Sequence, residues 1–483
     1  MRTVPAEQVA ARMRLENPWW TPPHQIAKQY RDYARPREYL GLFLTLLKAE
    51  GIRRAVVLLG PRRVGKTVLI HHSIQRLIDQ GVSGRRICYV SVDHPIYNGL
   101  RLDELVDLFV NETKTKVRKE PCFVFFDEIQ YLRDWERHLK VLVDDMPRVK
   151  FVASGSAAAA LRLKSTESGA GRFTDFLLPP LTFHEYLTLL GKDALIESVA
   201  NSSGFDLPSF KAPNIHALNE SFVHYLNYGG YPEIVLSEEI QSDPQRFIKS
   251  DIIDKVLLRD LPGLYGISDI QELNYLFTTL ALNTAHEVSL TELSKNSGVV
   301  KNTIKKYIEY LEAAFLIRVV HRVDHSGRRF QRANYFKVYL TNPSMRSALF
   351  QPITADDEQL GSLVETAIFS QWFHSPQKLH YARWKGGEVD IVSLGRRTIE
   401  WAVEVKWSDR PGKHPEELKA QTEFCKRNGL RGIRVTTRTF HGSTEREGVR
   451  VEFLPASLYC YTVGQDLVKG KSSMSSRATV QLE

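Results

Sequence analysis

Gly60-Pro61-Arg62-Arg63-Val64-Gly65-Lys66-Thr67 fits the pattern G-x-x-x-x-G-K-[ST] and stands between an apolar strand and a helix, the context that pattern needs. Glycines at both ends let the backbone wrap close to phosphates, while successive N–H groups and the helix N-terminus supply partial positive charge. Lys66 is placed to reach the β- and γ-phosphates, Thr67 offers its hydroxyl to Mg²⁺, and Val68 carries the loop into the helix. Further on, Phe123-Val124-Phe125-Phe126-Asp127-Glu128 is a hydrophobic strand ending in two carboxylates. A buried strand has no use for acids, so both belong at its C-terminal rim, where α/β sheets bind ligands. Asp127 then completes the Mg²⁺ shell and Glu128 takes the proton of an attacking water. The competing reading makes the two acids a cap for the next helix. Together the two motifs predict an ATPase using ATP and Mg²⁺.

A second constellation lies near the other end. Gly386-Gly387-Glu388-Val389-Asp390-Ile391-Val392 is followed after a turn by Ala402-Val403-Glu404-Val405-Lys406-Trp407. Residues two apart on a strand share a face, so Glu404 and Lys406 project together while Val403 and Val405 enter the core. Asp390, on the preceding strand of a hairpin, meets them. Two carboxylates beside a lysine make a divalent-metal site with a water-polarising cation, suited to phosphodiester hydrolysis. The competing reading is a solvated sheet edge, which leaves the strict alternation of apolar residues with acids unaccounted for. Arg383, Trp384 and Lys385 beside this site read either as a grip on a phosphate backbone or as rim residues.

Between these two sites, Ser289 to Lys295 reads as a capped helix, with Ser289 at the N-cap and Glu292 three residues on. Asn296-Ser297-Gly298 turns the chain, and Val300 to Ala314 forms a second helix with Ile304, Ile308 and Leu311 on one face. Lys301, Asn302, Thr303, Lys305 and Lys306 fall outward in its first turns, where a recognition helix meets a DNA groove. Leu316–Arg322 and Phe336–Leu340 complete a two-stranded wing. Winged helices also act as lids and protein contacts, so this segment by itself names no operator.

The elements around these sites suggest several domains, since 483 residues at about 150 per domain give roughly three. Residues 1–37 form an N-terminal arm whose Pro18-Trp19-Trp20 suggests a docked aromatic patch. Strands at Ala55–Leu59, Ile87–Val92, Cys122–Phe126, Lys150–Ser154 and Phe176–Leu178 alternate with helices across 38–180, which predicts an α/β core with a mainly parallel sheet. A helical lid or linker follows over 181–270, broken at Gly229-Gly230-Tyr231-Pro232, then the helix-turn-helix over 271–345. The nuclease-like α/β segment occupies 355–466, and 467–483 is a small, polar, flexible tail.

Composition sets the outer bounds. Hydrophobic residues at 43% and charged residues at 25% describe a globular chain. No run approaches a membrane span, and the charged N-terminus is not a secretory signal. Cys88, Cys122, Cys425 and Cys460 are too dispersed for a disulfide framework or a zinc site, so the chain reads as cytoplasmic. A formal charge of +9 suits a polyanionic partner without proving one.

The loop with two arginines inside it, Phe126-Asp127-Glu128-Ile129-Gln130, Ser154-Gly155-Ser156, Gly171-Arg172 and Pro179-Pro180-Leu181 resemble prokaryotic AAA+ ATPases with a C-terminal DUF4143 region. Tyr228-Gly229-Gly230-Tyr231-Pro232-Glu233 and Leu257-Leu258-Arg259-Asp260 resemble that family's linking region, and the likeness covers roughly 38–465. It implies that Ser154 senses the γ-phosphate and that Arg172 is an arginine finger directed at a neighbouring subunit's nucleotide. A homo-oligomer follows, as a ring such as a hexamer. A surface arginine is the plainer reading of Arg172. The layout of Asp390, Glu404 and Lys406 is similar to the PD-(D/E)xK restriction-endonuclease-like fold. Glu365, in the helix Leu363–Phe373, matches the extra metal-binding glutamate of junction-resolving members. These readings imply an ATP-driven motor on duplex or branched DNA, in recombination, repair or defence. The alternatives are a nucleotide-switched DNA-binding protein whose last domain does not cut, and a protein-interaction ATPase without a DNA role.

Overall fold

The computed structural model describes residues 5–49, 51–156, 171–199, 209–329, 334–395 and 398–469. The chain divides into two compact units, Met1–Leu178 and Pro179–Glu483.

In the first unit, β1 (Ala55–Leu59), β2 (Ile87–Ser91), β3 (Cys122–Asp127), β4 (Val149–Gly155) and β5 (Phe173–Leu177) form one parallel sheet in the order β2-β3-β4-β1-β5. Its inner strands are near-continuous apolar runs because helices cover both faces. Val57, Leu58, Phe125 and Val152 are fully buried. The register sets Leu58 against Ser154 and Phe126 against Ala153, so the strand ends after β1, β3 and β4 open along one rim.

The N-terminal arm belongs to this unit. Ala6–Glu16 is a helix and Pro18–Trp20 a single 3₁₀ turn, with Trp19 and Trp20 both buried. Both indole N–H groups donate to Ile87 O, at 3.1 and 2.7 Å. Asn17 Nδ2 donates to Tyr89 O at 2.8 Å, and Tyr89 N–H donates back to Asn17 Oδ1 at 2.7 Å. The side-chain amide thus imitates a neighbouring strand and closes the edge that β2 would otherwise leave unpaired.

In the second unit, after the helix Phe183–Leu189, β6 (Glu197–Val199) and β7 (Ser209–Lys211) pair antiparallel as a small two-stranded sheet. Its main sheet has nine strands: β8 (Glu287–Ser289), β9 (Ile317–Val323), β10 (Tyr335–Leu340), β11 (Leu379–Trp384), β12 (Gly387–Leu394), β13 (Ile399–Glu404), β14 (Gly432–Thr437), β15 (Gly442–Arg446) and β16 (Val449–Pro455). The order is β15-β16-β14-β13-β12-β11-β9-β10-β8. Helices Phe183–Leu189, Ile215–Tyr228, Leu360–Gln371 and Ala456–Val468 supply one core, around Phe183, Phe222, Ile368 and Tyr459. Lys419–Arg427 packs into another through Phe424 and Cys425.

Two boundaries differ from expectation. The hairpin β9–β10 gains a third strand, β8, and its other side pairs with β11 at Tyr381↔Arg322 and Ala382↔Val323. Unsatisfied backbone groups on one edge found a partner on the next, so the sheet runs across the division drawn between 345 and 355. The last helix continues to Val468, because Val463, Leu467 and Val468 are buried, and the polar tail from 470 onward lies outside the described residues.

Asn17→Ala strands the Tyr89 N–H and C=O. We expect a loss of about 1–3 kcal/mol, the cost of buried unsatisfied groups, in urea unfolding of the first unit. A loss below about 0.5 kcal/mol, within the scatter of surface substitutions, would mean the arm is not an edge cap.

Candidate nucleotide site and acidic centre

The β1 rim carries the glycine-bounded loop. A Cβ on Gly60 would stand 2.2 Å from Leu178 O, so only glycine passes there. Gly65 (φ 90°) and Arg63 (φ 64°) occupy the left-handed region that bends the backbone into the helix Lys66–Asp79. Pro61 and Val64 are buried, Arg62 and Val68 half-buried, and Arg63 exposed. Lys66 Nζ donates to Gly60 O at 3.1 Å and Pro61 O at 2.8 Å, which holds the ammonium over its own loop.

Asp127, at the end of β3, is 1% exposed and its two oxygens gather the neighbouring hydroxyls. Oδ2 accepts from Thr67 Oγ1 at 2.7 Å and from Tyr89 OH at 2.9 Å, and Oδ1 accepts from Ser154 Oγ. Glu128 N–H donates to Ser154 Oγ at 3.2 Å. Its side chain, launched from a left-handed backbone (φ 56°), accepts from Gln130 Nε2. Burial pushes the Glu128 carboxyl above its ordinary pKa, Lys66 opposes this, and Asp127 adds to it. A carboxylate raised in this way is a better proton acceptor at neutral pH. Thr67, Asp127, Glu128, Ser154 and Lys66 are thus brought together, and Tyr89 joins them unannounced by any motif. Arg172 instead donates from Nε to Asp144 Oδ1 at 3.1 Å on the surface of the same unit, with its side chain 43% exposed.

In the second unit, Lys337, Glu365, Glu388, Asp390, Glu404, Lys406 and Gln421 line one cavity of about 400 Å³. The hairpin β12–β13 places Asp390 and Glu404 side by side. Lys406, just past the strand end, has its backbone clamped by Thr436 Oγ1, which accepts from its N–H at 2.8 Å and donates to its C=O at 2.9 Å. Lys406 Nζ lies 2.7 Å from Glu404 Oε1 and 3.6 Å from Asp390 Oδ2, and the latter also accepts from Val405 N–H at 2.8 Å. Gln421, on Lys419–Arg427, donates from Nε2 to Glu404 Oε1 at 3.1 Å.

Glu365 Oε1 accepts from Lys337 Nζ at 2.9 Å and from Tyr339 OH at 2.6 Å. Lys337 also reaches Glu388 at 2.7 Å and Asp390 at 3.4 Å. On the rim, Arg383 pairs with Glu287 at 3.3 Å and Glu388 at 3.6 Å, while Trp384 stacks on Phe424. Burial and the charge of Asp390 push the Glu404 carboxyl up to about 8 against the pull of Lys406. Burial raises Glu365 to about 7 against the pull of Lys337. Lys406 is held above its usual value because Asp390 and Glu404 outweigh its burial.

Glu404 Oε2 and Gln421 Oε1 are buried acceptors with no hydrogen-bond partner among the described residues. These are hard oxygen donors of the kind Mg²⁺ and Mn²⁺ take, and they fit a divalent cation. Among the described residues no three His, Cys, Asp or Glu side chains form a ready metal cage, because lysine ammoniums stand between the carboxylates. Lys337, Gln421 and Glu388 were missed by motif reading. Glu388, two residues before Asp390 on a strand, was legible by alternation, and Lys337 was legible as the one charge in an apolar strand.

Between the two sites along the chain lie the helices Leu290–Ser297 and Lys301–Ala313. Ser289 Oγ accepts from Glu292 N–H at 3.1 Å, Gly298 (φ 74°) turns the chain, and Lys301–Ala313 follows. Lys301, Asn302, Lys305 and Lys306 are exposed and Thr303 is half-buried; Lys301 Nζ donates to Thr291 Oγ1 at 2.9 Å. No described helix is long and apolar enough to cross a membrane.

Residues 219–357 match the model of a domain of unknown function, DUF8612, where the motifs had pointed to DUF4143. An uncharacterized protein of Haemophilus influenzae is 24% identical over 70% of this chain and 78% of its own length. An uncharacterized protein of Methanocaldococcus jannaschii is 23% identical over 80% of this chain and 82% of its own. The solved replication initiator DnaA, bound to AMPPCP and single-stranded DNA, covers 57% of this chain and 86% of that one at 14% identity. Its TM-score of 0.27 is too low to support any argument. Residues 52–187 match the model of an AAA domain, over the segment that carries the glycine-bounded loop, Asp127 and Glu128, and the match supports an AAA-type ATPase domain in this part of the chain.

Proposed function

We propose that the chain is an ATP-hydrolysing AAA+ motor that acts on DNA, duplex or branched, in recombination, repair or defence. Its second unit would contribute a winged-helix contact and a metal-dependent, PD-(D/E)xK-like nuclease centre. The observation that carries this reading is the meeting of Asp390, Glu404 and Lys406 in one cavity beside two orphaned acceptor oxygens. Asp390, Glu404 and Gln421 would hold a divalent cation, which when bound supplies Lewis-acid polarisation of a phosphodiester. Lys406 holds a positive charge at the cavity mouth, Gln421 orients Glu404, and the exposed face of 301–306 offers lysines to phosphates. On the ATP side, Thr67 and Asp127 would share Mg²⁺, Lys66 would neutralise phosphate charge, and Glu128 would accept the proton of water. Gly60 to Val68 would cradle the triphosphate, Ser154 would report the γ-phosphate, and Arg172, released from Asp144, would serve a neighbouring subunit in a ring.

A second reading has its own support. Lys337 fills half of the acidic centre with a fixed ammonium, as expected of a nucleotide-switched DNA-binding protein whose last domain does not cut.

ATP turnover measured with single-stranded, duplex and four-way DNA decides the first question, and stimulation by DNA is expected. Lys66→Ala should abolish nucleotide binding. Glu128→Gln should keep binding while hydrolysis falls at least about 100-fold, the scale of a lost general base. Equal turnover by Lys66→Ala and the parent would end the motor reading. The rate per subunit should rise with protein concentration, and Arg172→Ala should lower it by about 10³-fold, the range of arginine fingers. A rate independent of concentration and indifferent to Arg172→Ala removes the ring contact. With Mn²⁺, cleavage of linear or branched DNA should vanish in Asp390→Asn and Lys406→Ala. If the parent leaves every such substrate whole, the non-cutting reading takes its place.

A further inference from the structure

β10 runs Tyr-Phe-Lys-Val-Tyr-Leu, a buried apolar strand with one charge in it. Lys337 is 3% exposed, and an ammonium so far from water is tolerated only where its charge is matched. Its matches come from two other elements: Glu365 on the helix Leu360–Gln371, and Glu388 and Asp390 on β12. The Tyr381 ring, with its centroid 5.3 Å from Nζ, adds a cation–π contact. Asp390 divides the centre. Its Oδ1 faces Lys337, while its Oδ2 faces Val405 N–H and Lys406, on the side where Glu404 Oε2 and Gln421 Oε1 have no hydrogen-bond partner among the described residues.

We propose that Lys337 is a positioning residue, a resident counter-cation that closes the Glu365 side of the centre and limits it to one divalent cation, held on the Asp390–Glu404–Gln421 side. The inference rests on the reading that this centre takes a cation at all. An ion bridging Glu365 and Asp390 would sit against a fixed positive charge in a poorly screened interior, where like charges repel strongly. Glu365, which the resemblance to junction-resolving members of the restriction-endonuclease-like fold implies as a ligand, is on this account spent on Lys337 and Tyr339.

The test is a Mn²⁺ titration of the full-length chain, followed by electron paramagnetic resonance and calorimetry without nucleic acid. Ions that disappear in Asp390→Asn are counted as belonging to the centre. One ion is expected in the parent and in Lys337→Arg, and two in Lys337→Met; a count of one in folded Lys337→Met overturns the proposal. Should that variant fail to fold, Glu365→Gln decides: Mn²⁺ affinity unchanged within about threefold supports the closed side, whereas a loss of about tenfold or more, the scale of a damaged metal site, makes Glu365 a ligand and overturns it. If the parent holds no ion that depends on Asp390, the cation reading of the centre fails and the role of Lys337 falls with it, an outcome distinct from a wrong ion count.

Discussion

Lys337 Nζ, 2.7 to 3.4 Å from Glu365, Glu388 and Asp390, is the contact on which the second unit's arrangement depends. Burying one ammonium or one carboxylate alone is prohibitive, and burying them together is tolerable only with close geometry and further hydrogen bonds. Tyr339 supplies one such bond to Glu365, and Val405 N–H supplies another to Asp390. For these groups to meet, β10 must lie in the same sheet as β12. The pairing of β9 with β11 brings that about, and it places β8, β9 and β10 in one sheet with the strands of the acidic centre. Hydrophobic packing on both faces of the sheet then holds the charges in place.

The first unit solves a related problem by different means. Asp127 is also a buried carboxylate, but neutral hydroxyls from Thr67, Tyr89 and Ser154 meet it, drawn from three separate parts of the chain. The parallel register of β1, β3 and β4 delivers Thr67, Asp127 and Ser154 to one rim, and Tyr89 reaches in from β2. Such hydroxyls are easily reoriented, whereas the lysines of the other centre are fixed charges. The rim carboxylate is therefore held by neutral hydroxyls, and the acidic centre is built around charge already in position.

Much of this was legible beforehand, for definite reasons. The parallel core showed itself because strands buried on both faces must be apolar throughout, as Ala55–Leu59 and Cys122–Phe126 are. The loop at 60–67 and the two acids after Phe126 are local patterns whose chemistry needs adjacent residues. Asp390, Glu404 and Lys406 were found because strand alternation puts i and i+2 on one face, and Ser289 and Gly298 because caps and turns are written within a few residues. Gln421 escaped because nothing local to it announces a partner 17 residues away, and Lys337, visible as a lone charge in an apolar strand, gave no local sign of a partner 53 residues away. The docking of Asn17 on Tyr89, 72 residues apart, escaped for the same reason.

The sequence by itself determined which chemistries are available: a phosphate-wrapping loop, a carboxylate pair at a strand end, an acid–acid–lysine hairpin and a capped pair of helices. Each of these rests on backbone geometry that repeats over two to eight residues, so the order of residue types suffices to read it. Tertiary structure alone decided how the charges are balanced: that Glu365 answers to Lys337, that Glu404 Oε2 and Gln421 Oε1 find no hydrogen-bond partner among the described residues, and that Arg172 pairs with Asp144. Those outcomes depend on distances of about 3 Å between residues far apart in the chain. Electrostatic and hydrogen-bond energies change steeply at that range, and no periodicity in a sequence encodes it.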